Sequence, residues 1–251
     1  MNSREFAKMI DLENRYWWFV GRKSVIDSVL RKTFDAGVTR DILDIGCGVG
    51  SIFDTLGKYG RVVGADVSEV ALSYCRQRGM KDLVKSSAEK LEVEDESFDL
   101  VTAFDILEHL DDDGQGLSEM YRVCKKGGYA LITVPAYRFL WSGHDRALGH
   151  RRRYLYAELK DKVESAGFEV NKLSYFVFFL FPVTVAFRIV ERFIIGSKKR
   201  DTSYITPPGF INSMFIKLLE LEGKLINYFG FKVGLSILCL ARKAEDDRSD
   251  R

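Results

Sequence analysis

Short apolar runs alternate with amphipathic stretches along the chain, and the alternation predicts a parallel sheet wrapped by helices. Apolar strands are read at 42–45, 61–66, 83–85, 98–103 and 129–134. Helical spacing fills the intervals, most clearly at 70–78 and 115–125. Strands separated by helices build βαβ units with helices on both faces of the sheet. A sixth strand is expected at 168–176, after a helix at 157–166. A seventh is expected at 234–243, where Leu235-Ser-Ile-Leu-Cys-Leu240 is apolar and bounded by charge. The expected fold class is therefore α/β, a doubly wound, mostly parallel sheet of seven strands. Its ligand crevice should lie at the carboxyl ends of the strands.

More than fifty residues separate the sixth strand from the seventh, too many for an unstructured connection. The first part, 176–195, is heavily apolar, but Pro182, Arg188, Glu191 and Arg192 interrupt it. Its uninterrupted run falls well short of the ~20 residues that span a bilayer. In the second part Ile211, Met214, Phe215, Leu218, Leu225, Ile226 and Phe229 recur at helical spacing, with Lys217, Glu220 and Lys224 between them. Two readings stand for this helical insertion. It is a lid that walls a ligand pocket, or an interfacial surface touching a membrane peripherally or a second copy in a homodimer. Lys198-Lys199-Arg200 fits a phosphate-rich surface or a solvated turn. The expected division is an N-terminal helical lid at 1–40, a core at 41–176 and 233–243, the insertion at 177–232, and a frayed tail at 244–251.

Composition adds softer bounds. With 251 residues and 46% hydrophobic residues, one large core is affordable to the chain. A formal net charge of +2 is too small to signal nucleic acid. Cys47, Cys75, Cys124 and Cys239 lack C-x-x-C spacing, which reads as reduced thiols in a cytoplasmic protein with no zinc site. No apolar segment follows the charges of the first residues, so no secretory signal is expected.

The densest chemistry lies at Asp41-Ile-Leu-Asp-Ile-Gly-Cys-Gly-Val-Gly50. A strand carrying Asp44 runs into a turn with Gly46, Gly48 and Gly50, where backbone amides can approach a ligand closely. The spacing is one residue shorter than the dinucleotide fingerprint. A carboxylate beside the turn suits a cationic or zwitterionic ligand. Asp66 ends the next strand, where it can accept both hydroxyls of a ribose. Ser86-Ser87-Ala88-Glu89 follows the third strand on the same edge, and Asp105-Ile-Leu-Glu-His109 follows the fourth.

In this order, D-x-G-C-G-x-G, G-A-D, S-A-E, F-D…D-x-L-E-H-L and G-G-x-x-x-I-x-V-P, the motifs resemble those of class I S-adenosylmethionine-dependent methyltransferases, a Rossmann-like family. The resemblance covers roughly 41–170 and returns at the last strand. It extends to a bacterial subgroup, with mostly unassigned substrates, that carries Trp17-Trp18-Phe19-Val20-Gly21-Arg22 and a W-S-x-H-D…G-H-R-R-R-Y segment, here 141–154. It implies S-adenosylmethionine as cofactor, and strands six and seven paired antiparallel. Asp44 and the turn of Gly46, Cys47, Gly48 and Gly50 would hold the methionine part. Asp66 would take the ribose and Val67 would pack on adenine. Ser87, Ala88 or Glu89 would meet the adenine amino group. Asp105 would line the methyl-donor side, Arg22 would pair with the methionine carboxylate, and Trp17 would close over the cofactor.

Transfer to a hydroxyl needs a base as well as alignment. The chain has three histidines, His109, His144 and His150. His144 and His150, in a polar loop after the fifth strand, are candidates with His109; loop-ordering hydrogen bonds are the alternative role. Arg151-Arg152-Arg153 would clamp an anionic acceptor or begin a helix. Trp18 and Trp141 are further candidates to close the site. Asp111-Asp112-Asp113 is expected to cap a helix rather than bind metal, and no metal site is expected. Neither an N/D-P-P-Y/F segment nor a Pro-Cys pair is present, which disfavours nucleic acid. The expected function is methyl transfer, to oxygen, on a small-molecule or lipid- or glycan-linked acceptor. The alternatives are a catalytically silent cofactor-binding protein and a nicotinamide-dependent oxidoreductase.

Overall fold

The computed structural model describes residues 10–35, 37–194 and 207–245. Seven strands form one sheet: β1 (Arg40–Ile45), β2 (Gly60–Asp66), β3 (Leu83–Lys85), β4 (Phe98–Phe104), β5 (Cys124–Pro135), β6 (Glu169–Phe176) and β7 (Ser236–Arg242). Their order is β3-β2-β1-β4-β5-β7-β6. The first five run parallel, and β7 lies antiparallel between β5 and β6. The order reverses between β1 and β4, and that switch point opens the crevice in which such sheets bind ligands.

The central strands are apolar on both faces because helices cover both. Ile42 faces a core shared with Ile26, Leu30, Leu131 and Leu219. Its neighbour Leu43 faces the opposite core, with Val101, Leu117, Ile132 and Leu159. Helix α1 (Trp17–Thr33) supplies the first layer, with α2 (Phe53–Leu56) and α3 (Glu69–Gln77) beyond it. The second layer holds α4 (Asp113–Val123) and α6 (Tyr156–Ser165), and α5 (Gly143–Leu148) sits above the sheet edge. Asp112 caps α4 by accepting from Gln115 N at 3.0 Å, as expected for that acidic run.

One boundary differs from expectation. The helix expected at 115–125 stops at Val123, and β5 starts at Cys124, five residues before the strand read at 129–134. Cys124 pairs with Phe98, then a register shift leads to Tyr129 opposite Leu100. Gly127, at φ +74, makes that irregularity possible.

Between β6 and β7 lie α7 (Phe181–Ile194) and α8 (Gly209–Leu225). Helix α8 packs along α1 through small residues: a Cβ on Gly21 would sit 2.4 Å from Leu219 Cδ2, and one on Gly223 would sit 3.1 Å from Val25 Cα. No described helix is long and apolar enough to cross a membrane. Lys198-Lys199-Arg200 and most of the expected tail, residues 246–251, lie outside the described residues.

Candidate active site

The turn after β1 is built by its glycines. Gly46 N donates to Ala65 O at 2.7 Å, and Gly50 N to Cys47 O at 2.9 Å. Gly46 has φ +68, and a Cβ there would fall 1.9 Å from Ile106 Cδ1. Gly48 has φ +55 but nothing within 4 Å of its Cβ position, so its backbone faces open space. Its N–H points to Asp66 Oδ2 at 2.9 Å, while Asp66 Oδ1 accepts from Ser68 N at 2.8 Å. The carboxylate is thus fixed across the mouth of the turn. Beside it Val67 is 70% exposed, an apolar surface with no protein covering it.

A cavity of about 440 Å³ opens from this turn. Asp44, Gly46, Cys47, Gly48, Asp66 and Val67 line it, as do Asp105, His109, His144 and His150, and Trp17 and Arg22 of α1 complete the wall. Asp44 is buried and accepts from Thr102 Oγ1 at 2.7 Å. Burial pushes its carboxyl up to about 7, with Arg22 pulling the other way. Arg22 is paired with Asp105. Asp105 holds a left-handed backbone, φ +57, and also accepts from Thr133 Oγ1 at 3.1 Å. Trp17 meets Phe215 edge-on and Trp18 stacks on Phe176, so α1 is anchored to α8 and β6 where it walls the cavity.

All three histidines reach the same cavity. Burial lowers His144 to about 4. Burial, then the neighbouring His150, lowers His109 to about 4 as well. Both imidazoles are neutral at pH 7. His150 Nδ1 lies 3.0 Å from Asp145 Oδ1. Asp145 itself accepts from Arg153 Nε and Nη2 and from Ser142 N and Oγ. Burial alone would raise Asp145, yet the His150 hydrogen bond and the Arg153 charge hold it well below the ordinary carboxylate range.

Several expected residues stand elsewhere. Ser87, Ala88 and Glu89 lie outside the cavity walls. Glu89 instead ties its loop to α4, its carboxylate accepting from Asp112 N at 2.7 Å. Gly50 shapes the turn from behind, against Met80. Trp141 does not line the cavity either. The arginine run is no anion clamp. Arg151 and Arg152 donate to the carbonyls of His109, Leu110 and Asp111, and Arg153 holds Asp145 and Ala136 O. The run fastens the loop of His150 to the turn of His109. What the sequence reading missed is Glu108, which is fully buried, lines the cavity, and has neither carboxylate oxygen hydrogen-bonded. Its burial, with Asp105 nearby, raises it well above the ordinary carboxylate range. Its place beside His109 in an otherwise apolar turn was the available signal.

Comparison with known proteins agrees with this geometry. Residues 43–132 match the family model of a methyltransferase domain. A probable S-adenosylmethionine-dependent methyltransferase of Mycolicibacterium smegmatis is 34% identical over 164 residues, covering 64% of this chain and 62% of that protein. A ubiquinone biosynthesis O-methyltransferase of Hahella chejuensis is 33% identical over 143 residues, covering 52% and 60%. The chain therefore spans 62% and 60% of the length of these two relatives. Among solved structures, phosphoethanolamine N-methyltransferase 2 of Haemonchus contortus, in complex with phosphomonomethylethanolamine and S-adenosylhomocysteine, shares the fold. Its TM-score is 0.56 at 20% identity over 88% of this chain and 52% of its own. The fold is that of solved methyltransferases, and residues 43–132 are similar to a methyltransferase domain.

Proposed function

We propose that the chain is an S-adenosylmethionine-dependent methyltransferase acting on an oxygen of a small-molecule or lipid- or glycan-linked acceptor. The observation that carries the reading is one cavity lined by two chemically different sets of residues. Asp44, the glycine turn and Asp66 suit a zwitterionic amino acid joined to a nucleoside. In the same cavity stand three imidazoles, two of them lowered by burial to about 4. The sulfonium donor arrives activated, so alignment of the acceptor supplies much of the rate. His144 is the first candidate to take a hydroxyl proton, with His150 and His109 beside it. Arg22 would meet the methionine carboxylate while still paired with Asp105, since a guanidinium has five donors.

A lipid-linked acceptor is favoured by the insertion. Phe210 is 77% and Tyr228 79% exposed, with Met214 and Phe229 also exposed nearby in sequence. Such a surface suits peripheral contact with a membrane or an apolar tail. The relative from Hahella chejuensis, named for ubiquinone biosynthesis, points the same way.

The reading is tested by thermal denaturation with S-adenosylhomocysteine, S-adenosylmethionine and NADH in parallel. Ligand at ~100 times Kd stabilises by about 2.7 kcal/mol, a rise of about 5–11 °C for a chain of this size. The rise is expected with the adenosyl ligands alone. A rise with NADH alone, or with none, overturns the reading. Binding without turnover across a broad acceptor panel would favour the silent cofactor-binding protein.

A further inference from the structure

The turn Leu107–His109 and the loop carrying His150 bring three metal-ligating groups together. One ligand atom each from Glu108, His109 and His150 lies within 4.8 Å of the others. Glu108 Oε1 and His150 Nε2 are 4.0 Å apart, too far for a hydrogen bond. Metal bonds of about 2.0–2.2 Å place two ligands of one ion roughly 3.0–3.5 Å apart, so side-chain shifts of about 1 Å would close the trio.

Glu108 supplies an independent sign of a missing partner. It is fully buried with both carboxylate oxygens unbonded. A buried carboxylate left without hydrogen bonds is costly and calls for an explanation, an unseen ion among them. His150 is also oriented from behind: its Nδ1 lies 3.0 Å from Asp145 Oδ1, which directs Nε2 toward Glu108. A carboxylate behind a ligating histidine is the usual outer shell of a metal site.

We propose that Glu108, His109 and His150 bind one divalent first-row metal ion, of the kind suited to two imidazoles and a carboxylate, and that the ion holds the acceptor's hydroxyl oxygen. Three protein ligands leave coordination positions open, as metal sites that bind substrate require. All three residues line the same cavity as the glycine turn. The ion lowers the pKa of the bound hydroxyl, and His144, which is not a ligand of the ion and lines the same cavity, takes its proton. The acceptor's oxygen lone pair forms the new bond to the methyl carbon as the carbon–sulfur bond breaks, and the electrons of that bond leave on sulfur as neutral S-adenosylhomocysteine. This role rests on the methyltransferase reading, whereas the binding site does not.

The test uses tag-free, chelator-treated protein of this sequence titrated with Co(II), followed by visible absorption and by metal analysis after dialysis. The chain's only histidines are His109, His144 and His150, so an imidazole-ligated signal must come from this cavity. One equivalent per chain is expected, with Kd weakened at least ~100-fold in Glu108→Gln and in His150→Gln, since even outer-shell changes reach 10–100-fold. Thermal shift with S-adenosylhomocysteine runs on the same samples. A retained shift in the variants shows that they are folded and that only the ion was lost. No Co(II) signal, or unchanged affinity in both variants, overturns the metal site, even where the S-adenosylhomocysteine shift leaves the methyltransferase reading intact. Co(II) binding without that shift retains the site and removes the reaction assigned to it. Provided turnover is found with an acceptor, it should fall on chelation and return with added ion.

Discussion

Asp44 shows how one residue can be legible in sequence and still hold a surprise. Its place, two residues before Gly46 of the turn, marks it as a ligand group. Its state depends on burial that no local pattern reveals. The carboxyl is raised from 3.8 to about 7 by desolvation, against the pull of Arg22. The folded protein therefore binds more protons than the unfolded chain between those values. Stability from this group is full below pH ~4 and falls as pH rises toward 7. Cofactor binding runs in the opposite direction, because a ligand carrying an α-ammonium group favours the ionised carboxylate. S-adenosylhomocysteine affinity is expected to rise about tenfold from pH 6 to pH 8, since a group of pKa ~7 is mostly protonated at the lower value. Calorimetric titration of the wild type and Asp44→Asn checks this; an equal slope in the variant would clear Asp44 of the role. Asp66 and the glycines were readable because their chemistry lies within a few residues of chain. Glu108 was not, since its significance comes from complete burial and from His150, which reaches it only through the fold.

At the scale of elements, the strands were largely legible and the partnership of α1 with α8 was not. Strand periodicity is local: Ile42 and Leu43 face opposite cores because successive side chains alternate. Helix pairing between the two ends of the chain leaves only a faint mark, here the small residues Gly21 and Gly223 at the contact. The contact matters for the site, since α1 carries Trp17 and Arg22 into the cavity wall. Gly21→Val would drive side-chain atoms into Leu219 and should cost about 1–3 kcal/mol by overpacking, lowering Tm by roughly 2–12 °C. It should also weaken S-adenosylhomocysteine binding. Gly209→Ala is the control: nothing stands within 4 Å of its Cβ position at the start of α8, and Tm should stay within about 2 °C, as for substitutions that meet no neighbour. A Gly21→Val protein as stable as wild type would mean the two helices do not pack this closely in solution.

Over the whole molecule, the cavity draws on segments that are far apart in sequence but converge on one edge of the sheet. The switch point between β1 and β4 supplies Asp44, the glycine turn and Asp105. The segment after β5 supplies His144 and His150. The first helix supplies Trp17 and Arg22, and the insertion supplies Thr184 and Arg188 from α7. A ligand that bridges these parts must stabilise α1 and α7 along with the turn, because binding energy is shared by every element whose opening would release it. The opposite edge, at the amino ends of the strands, where Arg61 pairs with Asp82 just before β3, touches none of it. Hydrogen exchange with and without S-adenosylhomocysteine should therefore show slowed exchange in the turn at 46–50, in the first turns of α1 and at the start of α7. Amides at 78–82 should gain less, apart from whatever global stabilisation they share. Protection confined to 46–50 would show that α1 and α7 only border the site and do not close on it. The acceptor would then enter an open cleft, and its apolar portion would rest against the sheet edge instead of beneath the insertion.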